Sequence, residues 1–514
     1  MSLIKRNIIE RDIIANFIGR GWTALMTLLF IPIYIKFLGI EAFGLIGFFV
    51  TLQTLFLVLV TGLSISVNRE LARLSTQPGT DQKKRDLVRT LEAVYWVLAG
   101  AIACIVIFLS PIISNNWIMT QHLPAASVQQ AVMMMGVVIA FDLPLSLYYG
   151  GLIGLQKQVL YNGVDVVSAT FRGIGAVVIL WIVLPTVQAF FAWQIIISIA
   201  QTFLAALILW RNLPRTGSPP RLQNSYFNEI WLFTVGVTGI SILGGVVMQM
   251  DKVILSKMLT LELFGYYILA SGIASVVLLA VTPFFTAIFP RLSQLVMEGD
   301  KTGLKNLYHE SCQSVSVIIL PLAVIIALFA PEILQMWTGN PLIASETHLI
   351  ASVLVVGAAL NALTNMPYAL QLANGWTKLA FYQNLASVII LVPGIILLTE
   401  RYGMVGAAII WVLLNSGYFF ITVQLMHRRL LRGEQRKWYL VDVGLPFIGA
   451  SIIPCLGRLW FPQYTSNLIV LTDLFIILFM TFAITALITP YPRSRVIHNF
   501  KSLKRAFVDN SRAD

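Results

Sequence analysis

Long apolar runs separated by short polar gaps make up almost the whole chain. Fourteen of these runs have the length of a membrane-spanning helix, which needs about 20 residues. They lie near residues 13–38, 43–66, 91–113, 127–153, 160–184, 187–210, 229–258, 263–289, 312–330, 347–371, 379–399, 404–426, 440–461 and 466–489. The pattern predicts an all-α integral membrane protein with about 14 transmembrane helices. Because fourteen is even, both chain ends are expected on one side of the membrane.

The Lys and Arg residues concentrate in every second gap. With the N-terminus inside, 28 of the 35 fall in inward segments, and the outward side keeps only Lys36, Lys257, Arg401 and Arg458. Since cytoplasmic segments carry the excess of positive charge, the N- and C-termini are predicted to be cytoplasmic. The net charge of +12 reflects this inward bias, so no nucleic acid is needed to explain it.

The composition supports the same class of protein. With 58% hydrophobic and 11% charged residues, the chain has too little polar surface for a water-soluble globule. The first run is too long for a cleaved signal peptide and contains Arg20, so it is expected to remain as a helix. Cys104, Cys312 and Cys455 all lie in apolar runs, so we expect packing cysteines and no metal site or disulfide framework.

The chain also contains an internal repeat. Residues 35–49 match residues 256–270 at a shift of 221 positions, and weaker matches follow further along. The matched pairs include Lys36/Lys257, Leu38/Leu259, Glu41/Glu262, Phe43/Phe264, Gly44/Gly265, Gly154/Gly375, Lys157/Lys378 and Tyr161/Tyr382, with Trp193/Trp411 at 218. Six helices per repeat is an even number, so the two copies are predicted to enter the membrane in the same direction.

These features predict the domain organisation. We expect an N-terminal six-helix lobe at 1–210, a proline-containing cytoplasmic linker at 211–228, and a second, parallel six-helix lobe at 229–427. A basic cytoplasmic loop at 428–439, two accessory helices at 440–489 and a cytoplasmic tail at 490–514 would complete the chain.

Several polar residues lie inside the predicted spans, where a charge facing lipid costs about 2.5–3.5 kcal/mol or more. They are therefore expected to face protein or a water-filled cavity. The candidates for cavity-lining residues are Asn16, Arg20, Arg172, Lys252, Asn361 and Asn365, and the membrane-embedded acids are Asp142, Asp165 and Asp251.

Each candidate also has a purely structural interpretation. Arg20 could extend to the inner headgroups, and Asp165 with Arg172 could form an internal ion network on one helix face. The acid of the fourth span could serve packing as well as proton transfer, and the asparagines of the tenth could join helices. Asp251 and Lys252 are adjacent and splayed, so we expect them to pair poorly with each other.

Two segments carry a resemblance to a known family. Residues 16–75, beginning NFIGRGWTALMTLL, and residues 250–272, MDKVILSKMLTLELFGYYILASG, resemble bacterial polysaccharide flippases of the Wzx type. That family shares a superfamily with the multidrug (MATE) exporters and the lipid II flippases. The resemblance implies a MATE-like fold, in which two six-helix lobes surround a cationic cavity. Fourteen spans differ from the twelve typical of multidrug exporters and are shared with lipid II flippases, whose extra pair helps form a groove for the lipid tail.

The resemblance also implies a function. The protein is expected to translocate an undecaprenyl-diphosphate-linked oligosaccharide from the cytoplasmic to the periplasmic leaflet of a bacterial inner membrane by alternating access. Because a diphosphate cannot cross hydrocarbon unaided, buried cations are expected to contact it, with Arg20, Arg172 and Lys252 the candidates. The three embedded acids could bind a proton or sodium ion. The expected partners are this glycan, membrane lipid, and the polymerase and chain-length proteins of the same pathway; no cofactor is expected.

Three other functions remain open at this point. A multidrug or organic-cation antiporter would depend mainly on acids and aromatic residues, and a lipid II flippase would carry a related substrate. A membrane glycosyltransferase would need catalytic groups on a sizeable outward loop, whereas the outward gaps are short. The chain has no nucleotide-binding glycine motif, no HExxH and no nucleophile elbow, so it is not expected to be an enzyme.

Overall fold

A computed structural model of the chain describes residues 3–460 and 467–494. It divides into two compact units, Met1–Gly265 and Tyr266–Asp514. The helices of the first unit are α1 (Leu3–Leu38), α2 (Ile40–Ser75), α3 (Asp81–Ile112), α4 (Ala125–Gly154), α5 (Gln158–Ile182), α6 (Val187–Asn212) and α7 (Asn224–Met258). A π-helical turn, Ile113–Trp117, extends α3. The first residues of α8 (Leu261–Glu298) also belong to this unit.

The second unit contains the rest of α8 and the remaining helices. These are α9 (Lys301–Leu328), α10 (Ala330–Thr338), α11 (Pro341–Ala373), α12 (Thr377–Gly417), α13 (Val423–Leu430), α14 (Gln435–Lys437), α15 (Leu445–Trp460) and α16 (Asn467–Ile488). Short π-helical segments join α12 to α13 and α14 to α15. The predicted tail at 490–514 lies outside the described residues from position 495 onward, as does the connection at 461–466.

The membrane-spanning pattern predicted from sequence is present in the described helices. Thirteen of them are long and apolar enough to cross a membrane. One of these, Thr377–Leu430, has 54 residues, which would be about 80 Å of continuous helix and far exceeds the hydrocarbon core of about 30 Å. The prediction of an all-α protein with about fourteen transmembrane helices is therefore confirmed.

Gly403 breaks this long segment between predicted spans eleven and twelve. Its backbone has φ 58° and ψ −142°, a conformation that is available essentially to glycine alone. Three residues later, a Cβ on Gly406 would lie 2.0 Å from the carbonyl oxygen of Leu398. The chain therefore turns sharply at Gly403, and the two helical parts of α12 approach each other backbone to backbone.

Small residues bring the helices of the first unit together. A Cβ on Gly62 of α2 would lie 2.2 Å from Thr238 Oγ1 of α7, and one on Gly150 of α4 would lie 2.7 Å from the carbonyl oxygen of Ser64. Ser66 Oγ lies 2.7 Å from Thr234 Oγ1, which adds a hydrogen bond between α2 and α7. Since lipid provides no hydrophobic force between helices, such close contacts and hydrogen bonds hold membrane helices together.

The two sequence repeats correspond with small changes of register. Helices α2 and α8 begin 221 positions apart, at Ile40 and Leu261. In the later turn, however, Lys157 N donates to Leu152 O and Trp376 N donates to Gln371 O, and these pairs are 219 positions apart. The identities at 154–161 therefore lie two positions out of structural register. Trp193 also packs on α5, whereas Trp411 packs on α11, so these tryptophans are not equivalent.

The accessory helices α15 and α16 pack against α9. Ile325 and Phe329 form a buried apolar cluster with Leu474 of α16. At the other end of α16, Gln313 Oε1 of α9 accepts a hydrogen bond of 2.9 Å from the backbone N–H of Tyr491. The accessory pair is thus joined to the second unit by apolar and polar contacts.

We expect Gly403→Ala to destabilise the protein by about 1–3 kcal/mol, because alanine adopts this backbone conformation only with strain. Gly417→Ala is the matched control, since a Cβ there meets open space in helical backbone. The midpoint of thermal unfolding, followed by size-exclusion chromatography in detergent, should fall for the first variant alone. Equal midpoints for the two variants would contradict the assignment.

Candidate functional site

A continuous polar network crosses the first unit, and we call it the N-terminal polar network. It joins five helices, and its members are Thr23 of α1, Gln53 of α2, Asp142 and Tyr149 of α4, Asp165 and Arg172 of α5, and Gln194, Ser198 and Gln201 of α6. All of these residues lie in membrane-spanning helices. The network therefore contains the three charged residues of α4 and α5, which are Asp142, Asp165 and Arg172.

Arg172 is the centre of the network. Its Nη1 donates to Gln194 Oε1 at 2.9 Å, and its Nη2 donates to Ser198 Oγ at 3.1 Å and to Gln201 Oε1 at 3.0 Å. The three acceptors are spaced four and three residues apart, so they share one face of α6. The guanidinium is thus held in a fixed orientation by neutral acceptors.

The positive charge of Arg172 acts on two carboxylates. It interacts electrostatically with Asp142 of α4 and with Asp165 on its own helix. Because a charged group away from water must be compensated, the cation and the two acids stabilise one another. Among the described residues no ion pair joins Arg172 to Asp165 or Asp142, so the predicted ion network of Asp165 and Arg172 stays a prediction that their mutual charge effect supports.

The two acids differ in their surroundings. Asp165 accepts hydrogen bonds from Thr23 Oγ1 at 3.1 Å and Tyr149 Oη at 3.4 Å, and it is partly exposed. Asp142 is buried, and its Oδ2 accepts a hydrogen bond of 2.5 Å from Gln53 Nε2. The other oxygen, Oδ1, is buried without a hydrogen-bond partner among the described residues. Asp142 therefore keeps an unused acceptor in the interior.

Arg20 and Asn16 lie on α1 and have different environments. Asn16 donates to Gln158 Oε1 and accepts from Asn162 Nδ2 at 2.6 Å, so it joins α1 to α5. Arg20 is exposed and has no hydrogen-bond partner among the described residues, although its charge acts on Asp165 and Tyr161. Arg20 is therefore the candidate whose donors are available to a ligand.

The remaining candidates are paired. Lys252 Nζ lies 3.3 Å from Asp251 Oδ1 and also donates to the carbonyl oxygen of Met248 at 3.3 Å. The adjacent pair therefore does form, because the lysine side chain folds back along α7. In the second unit, Asn361 Nδ2 donates to Asn415 Oδ1 at 2.8 Å, and Asn365 donates to the carbonyl oxygen of Asn361. These asparagines join α11 to α12 and cap the local backbone.

A second buried charged cluster, in the second unit, was not predicted. His309 Nδ1 lies 2.5 Å from Asp442 Oδ2, and His309 Nε2 lies 3.1 Å from Glu434 Oε2. Gln313 donates to Asp442 Oδ1 at 2.9 Å, and Lys305 forms an ion pair with Glu434. The spacing of Lys305, His309 and Gln313, four residues apart along one face of α9, is the sequence signal that could have found this cluster.

One member of this cluster lies outside the membrane-spanning segments. Burial raises the pKa of Glu434, but hydrogen bonding and the charge of Lys305, with a further contribution from His309, hold that pKa below its ordinary value. The Lys305–Glu434 ion pair therefore stabilises the folded protein at pH values above the ordinary pKa of a carboxyl group. This stabilisation is lost as the pH falls through the lowered pKa of Glu434.

The fold and the network define a class of protein. Many apolar helices of membrane-spanning length, with charged and polar side chains hydrogen-bonded between them, are typical of a multi-pass membrane transporter. A sequence profile of the family described as "Polysaccharide biosynthesis protein" matches residues 9–296. Because this match covers more than half of the chain, the chain belongs to that family.

Known proteins of similar sequence and structure agree with this assignment. The chain is 24% identical over 418 residues to the Shigella flexneri protein described as "Putative O-antigen transporter", which covers 80% of this chain and 94% of that protein. The lipid II flippase MurJ in an inward closed conformation superimposes with a TM-score of 0.69 at 12% identity, covering 94% of this chain and 99% of that one.

A multidrug resistance MATE family transporter of the MOP superfamily, in an inward-facing conformation, gives a TM-score of 0.65 at 14% identity, covering 79% of this chain and 96% of that one. The MATE-like fold is therefore confirmed, as is the resemblance to Wzx-type flippases. The chain is thus a multi-pass membrane protein of the polysaccharide biosynthesis protein family, and the similar proteins named here are described as transporters and a flippase.

We expect Arg172→Met to destabilise the protein by about 1–3 kcal/mol, since it removes a partly buried cation and leaves two carboxylates and three acceptors without their partner. Adding Asp142→Asn should restore part of this loss by removing one uncompensated charge. Arg401→Met, at an exposed arginine, is the control. Thermal unfolding midpoints of the purified variants measure the effect. An Arg172→Met midpoint equal to that of the control would disprove the central position of Arg172.

Proposed function

We propose that this flippase carries an undecaprenyl-diphosphate-linked oligosaccharide from the cytoplasmic to the periplasmic leaflet by alternating access, for the synthesis of cell-surface polysaccharide. Family membership and the relative described as an O-antigen transporter support a glycan carrier. The observation that carries the proposal is the exposed guanidinium of Arg20, which lies within a membrane-spanning helix and has no hydrogen-bond partner among the described residues. A diphosphate headgroup needs such a fixed cation to replace its hydration.

Arg20 is suited to be the first contact for the headgroup. It lies seven residues after the start of the first predicted span, 13–38, and the predicted topology places this end at the cytoplasmic side. An Arg presents up to five N–H donors, which match the oxygens of a diphosphate in bidentate geometry. We therefore assign to Arg20 the capture of the diphosphate from the inner leaflet.

The other two cations receive different roles. Arg172 already makes three hydrogen bonds, so it acts on an anion mainly through its charge and by keeping the network in place. Lys252 is paired with Asp251, so it would contact a phosphate only after that pair opens. The order of capture is therefore Arg20 first and the paired cations later.

The asparagines are secondary candidates. The amides of Asn16, Asn361 and Asn365 bond to neighbouring helices or to local backbone. They would reach a sugar hydroxyl only by exchanging those partners, which costs about as much as the hydrogen bonds that they lose. We assign them to helix packing first and to sugar contacts during the conformational change.

The embedded acids are proposed as the coupling site for a proton or a sodium ion. Asp142 is buried, one of its oxygens has no hydrogen-bond partner among the described residues, and the charge of Arg172 acts on both Asp142 and Asp165. A cation or proton bound between them would compensate the charge that Arg172 now balances, and would allow Arg172 to turn toward an anion. Asp251 is a second candidate, because its carboxylate forms an ion pair with Lys252.

The proposal includes the orientation and partners expected from sequence. Both termini are assigned to the cytoplasm, with the lipid-linked glycan as substrate and the polymerase and chain-length proteins of the same pathway as downstream partners. The transport assay distinguishes this substrate from two others. An organic cation would be carried if the protein were a drug antiporter, and lipid II if it were a peptidoglycan flippase.

Arg20→Gln should lower the rate of flipping at least about tenfold, because it removes the positive charge that contacts the headgroup, a loss of about 1.4 kcal/mol or more in the transition state. Lys36→Gln, at the other end of α1, is the matched control, since Lys36 is exposed and lies on the predicted outward side. The assay follows the headgroup of an undecaprenyl-diphosphate oligosaccharide across proteoliposomes. Lipid II and an organic cation are tested in parallel.

Unchanged flipping by Arg20→Gln would contradict the role of Arg20. Transport of the organic cation alone would contradict the anionic carrier, and preference for lipid II would redirect the substrate. Equal transport of the lipid-linked oligosaccharide, lipid II and the organic cation would contradict a selective headgroup site.

Replacing Asp142, Asp165 and Asp251 together by asparagine should leave flipping without dependence on an imposed pH or sodium gradient, because no embedded carboxylate remains to bind the ion. Each single variant identifies the acid responsible. The control is Asp81→Asn, since Asp81 is an exposed residue at the start of α3. If the triple variant keeps both its transport rate and its ion dependence, the coupling proposal fails.

A further inference from the structure

The first residues of α2 and α8 meet in a reciprocal contact. Gly44 and Gly265 correspond at the repeat shift of 221, and so do Ile40 and Leu261. A Cβ on Gly44 would lie 2.2 Å from the carbonyl oxygen of Leu261, and a Cβ on Gly265 would lie 2.4 Å from that of Ile40. Gly44 thus faces Leu261, four positions before Gly265, and Gly265 faces Ile40, four positions before Gly44. The contact therefore follows the symmetry of the repeat.

No side chain larger than hydrogen fits at this crossing. A carbon atom approaches a carbonyl oxygen to about 3.3 Å in close Cα–H···O contacts. A methyl group at Gly44 would therefore push the helices about 1 Å apart, since its present distance would be 2.2 Å. Two backbones in direct contact leave no opening between them, so the crossing is sealed at this level.

The linker between α3 and α4 holds the first-repeat side of the crossing. Glu41, in the first turn of α2, is buried, and its carboxylate accepts the backbone N–H groups of Gln121 at 2.6 Å and His122 at 3.0 Å. Hydrogen bonds to a charged acceptor are about twice as strong as neutral ones. Glu41 therefore fixes residues 118–124 to the start of α2.

The same linker also holds the second-repeat side. Leu261 N donates to the carbonyl oxygen of Met119 at 2.7 Å, and Trp117 Nε1 donates to Ser256 Oγ at 3.0 Å. Lys257 Nζ adds a hydrogen bond to the carbonyl oxygen of Asn116. One short segment, 116–122, thus bonds to both repeats on either side of the glycine pair, and we call it the outer clamp.

We infer that Gly44 and Gly265 form the outward gate of the flippase and that Glu41 keeps this gate closed through the outer clamp. The inference rests on the proposed alternating access, because release toward the outer leaflet requires a passage between the repeats at this end. The predicted topology places residues 36–42, 114–126 and 257–262 on the outward side. The three elements of the gate therefore lie together where outward release takes place.

The gate can be tested by the distance between two spin labels on a protein reconstituted in lipid nanodiscs. The labels are attached at Lys36→Cys and Met258→Cys, at the outward ends of α1 and α7, after Cys104, Cys312 and Cys455 are replaced by serine. Gly44→Ala and Gly265→Ala should each raise the ratio of separated to closed molecules about tenfold. Gly100→Ala is the control, since a Cβ there meets open space on α3.

Glu41→Gln provides a second arm that adds no bulk. It weakens the outer clamp, so it should shift the distances between the spin labels in the same direction. The gate can therefore still be tested if a glycine variant fails to fold. Unchanged distances in Glu41→Gln, or an equal shift in Gly100→Ala, would overturn the gate.

The label distances test the gate independently of the proposed substrate. Arg20→Gln should slow flipping without changing the label distances. If the distances respond as expected while the unsubstituted protein moves no lipid-linked glycan, the gate stands and the substrate proposal fails. If the glycan is moved while the distances stay unchanged in every gate variant, the gate fails and the substrate proposal stands.

Discussion

Compensation of charge inside the membrane is the constraint on which the structure of the first unit depends. An uncompensated cation in hydrocarbon costs several kcal/mol, so the chain surrounds Arg172 with three neutral acceptors and the fields of two carboxylates. This arrangement fixes the relative positions of α4, α5 and α6. One cation faces two carboxyl groups, so the proton or ion that we propose to bind at these acids would change the balance of charge around Arg172.

The sequence predicted the fold well because membrane spans depend on length and hydropathy, which are local properties. The break at Gly403 was also predictable, since the charged residues Glu400 and Arg401 interrupt the apolar run. The register of the repeat was only partly predictable. Identical residues suggested a constant shift of 221, whereas the backbone hydrogen bonds show 219 in the later turn, because short length differences are invisible to single matched residues.

The candidate site was predicted in part. Asp165 and Arg172 share a helix, so their spacing revealed them, whereas Gln194, Ser198 and Gln201 are uncharged and drew no attention despite lying on one face of α6. The His309–Asp442 contact joins residues 133 positions apart, so no local pattern could pair them. Sequence therefore identifies charged groups in a membrane, but it does not show which of them are already paired.

The central claim is that an anionic headgroup binds beside Arg20 of α1. Photo-cross-linking with an undecaprenyl-diphosphate oligosaccharide that carries a diazirine next to the diphosphate tests this claim most directly, with the attachment sites mapped by mass spectrometry. We predict cross-links to residues of α1 and α5 around Arg20, and their loss when inorganic diphosphate is added in excess. Cross-links confined to the lipid-facing surface of α15 and α16, with none near Arg20, would contradict the account.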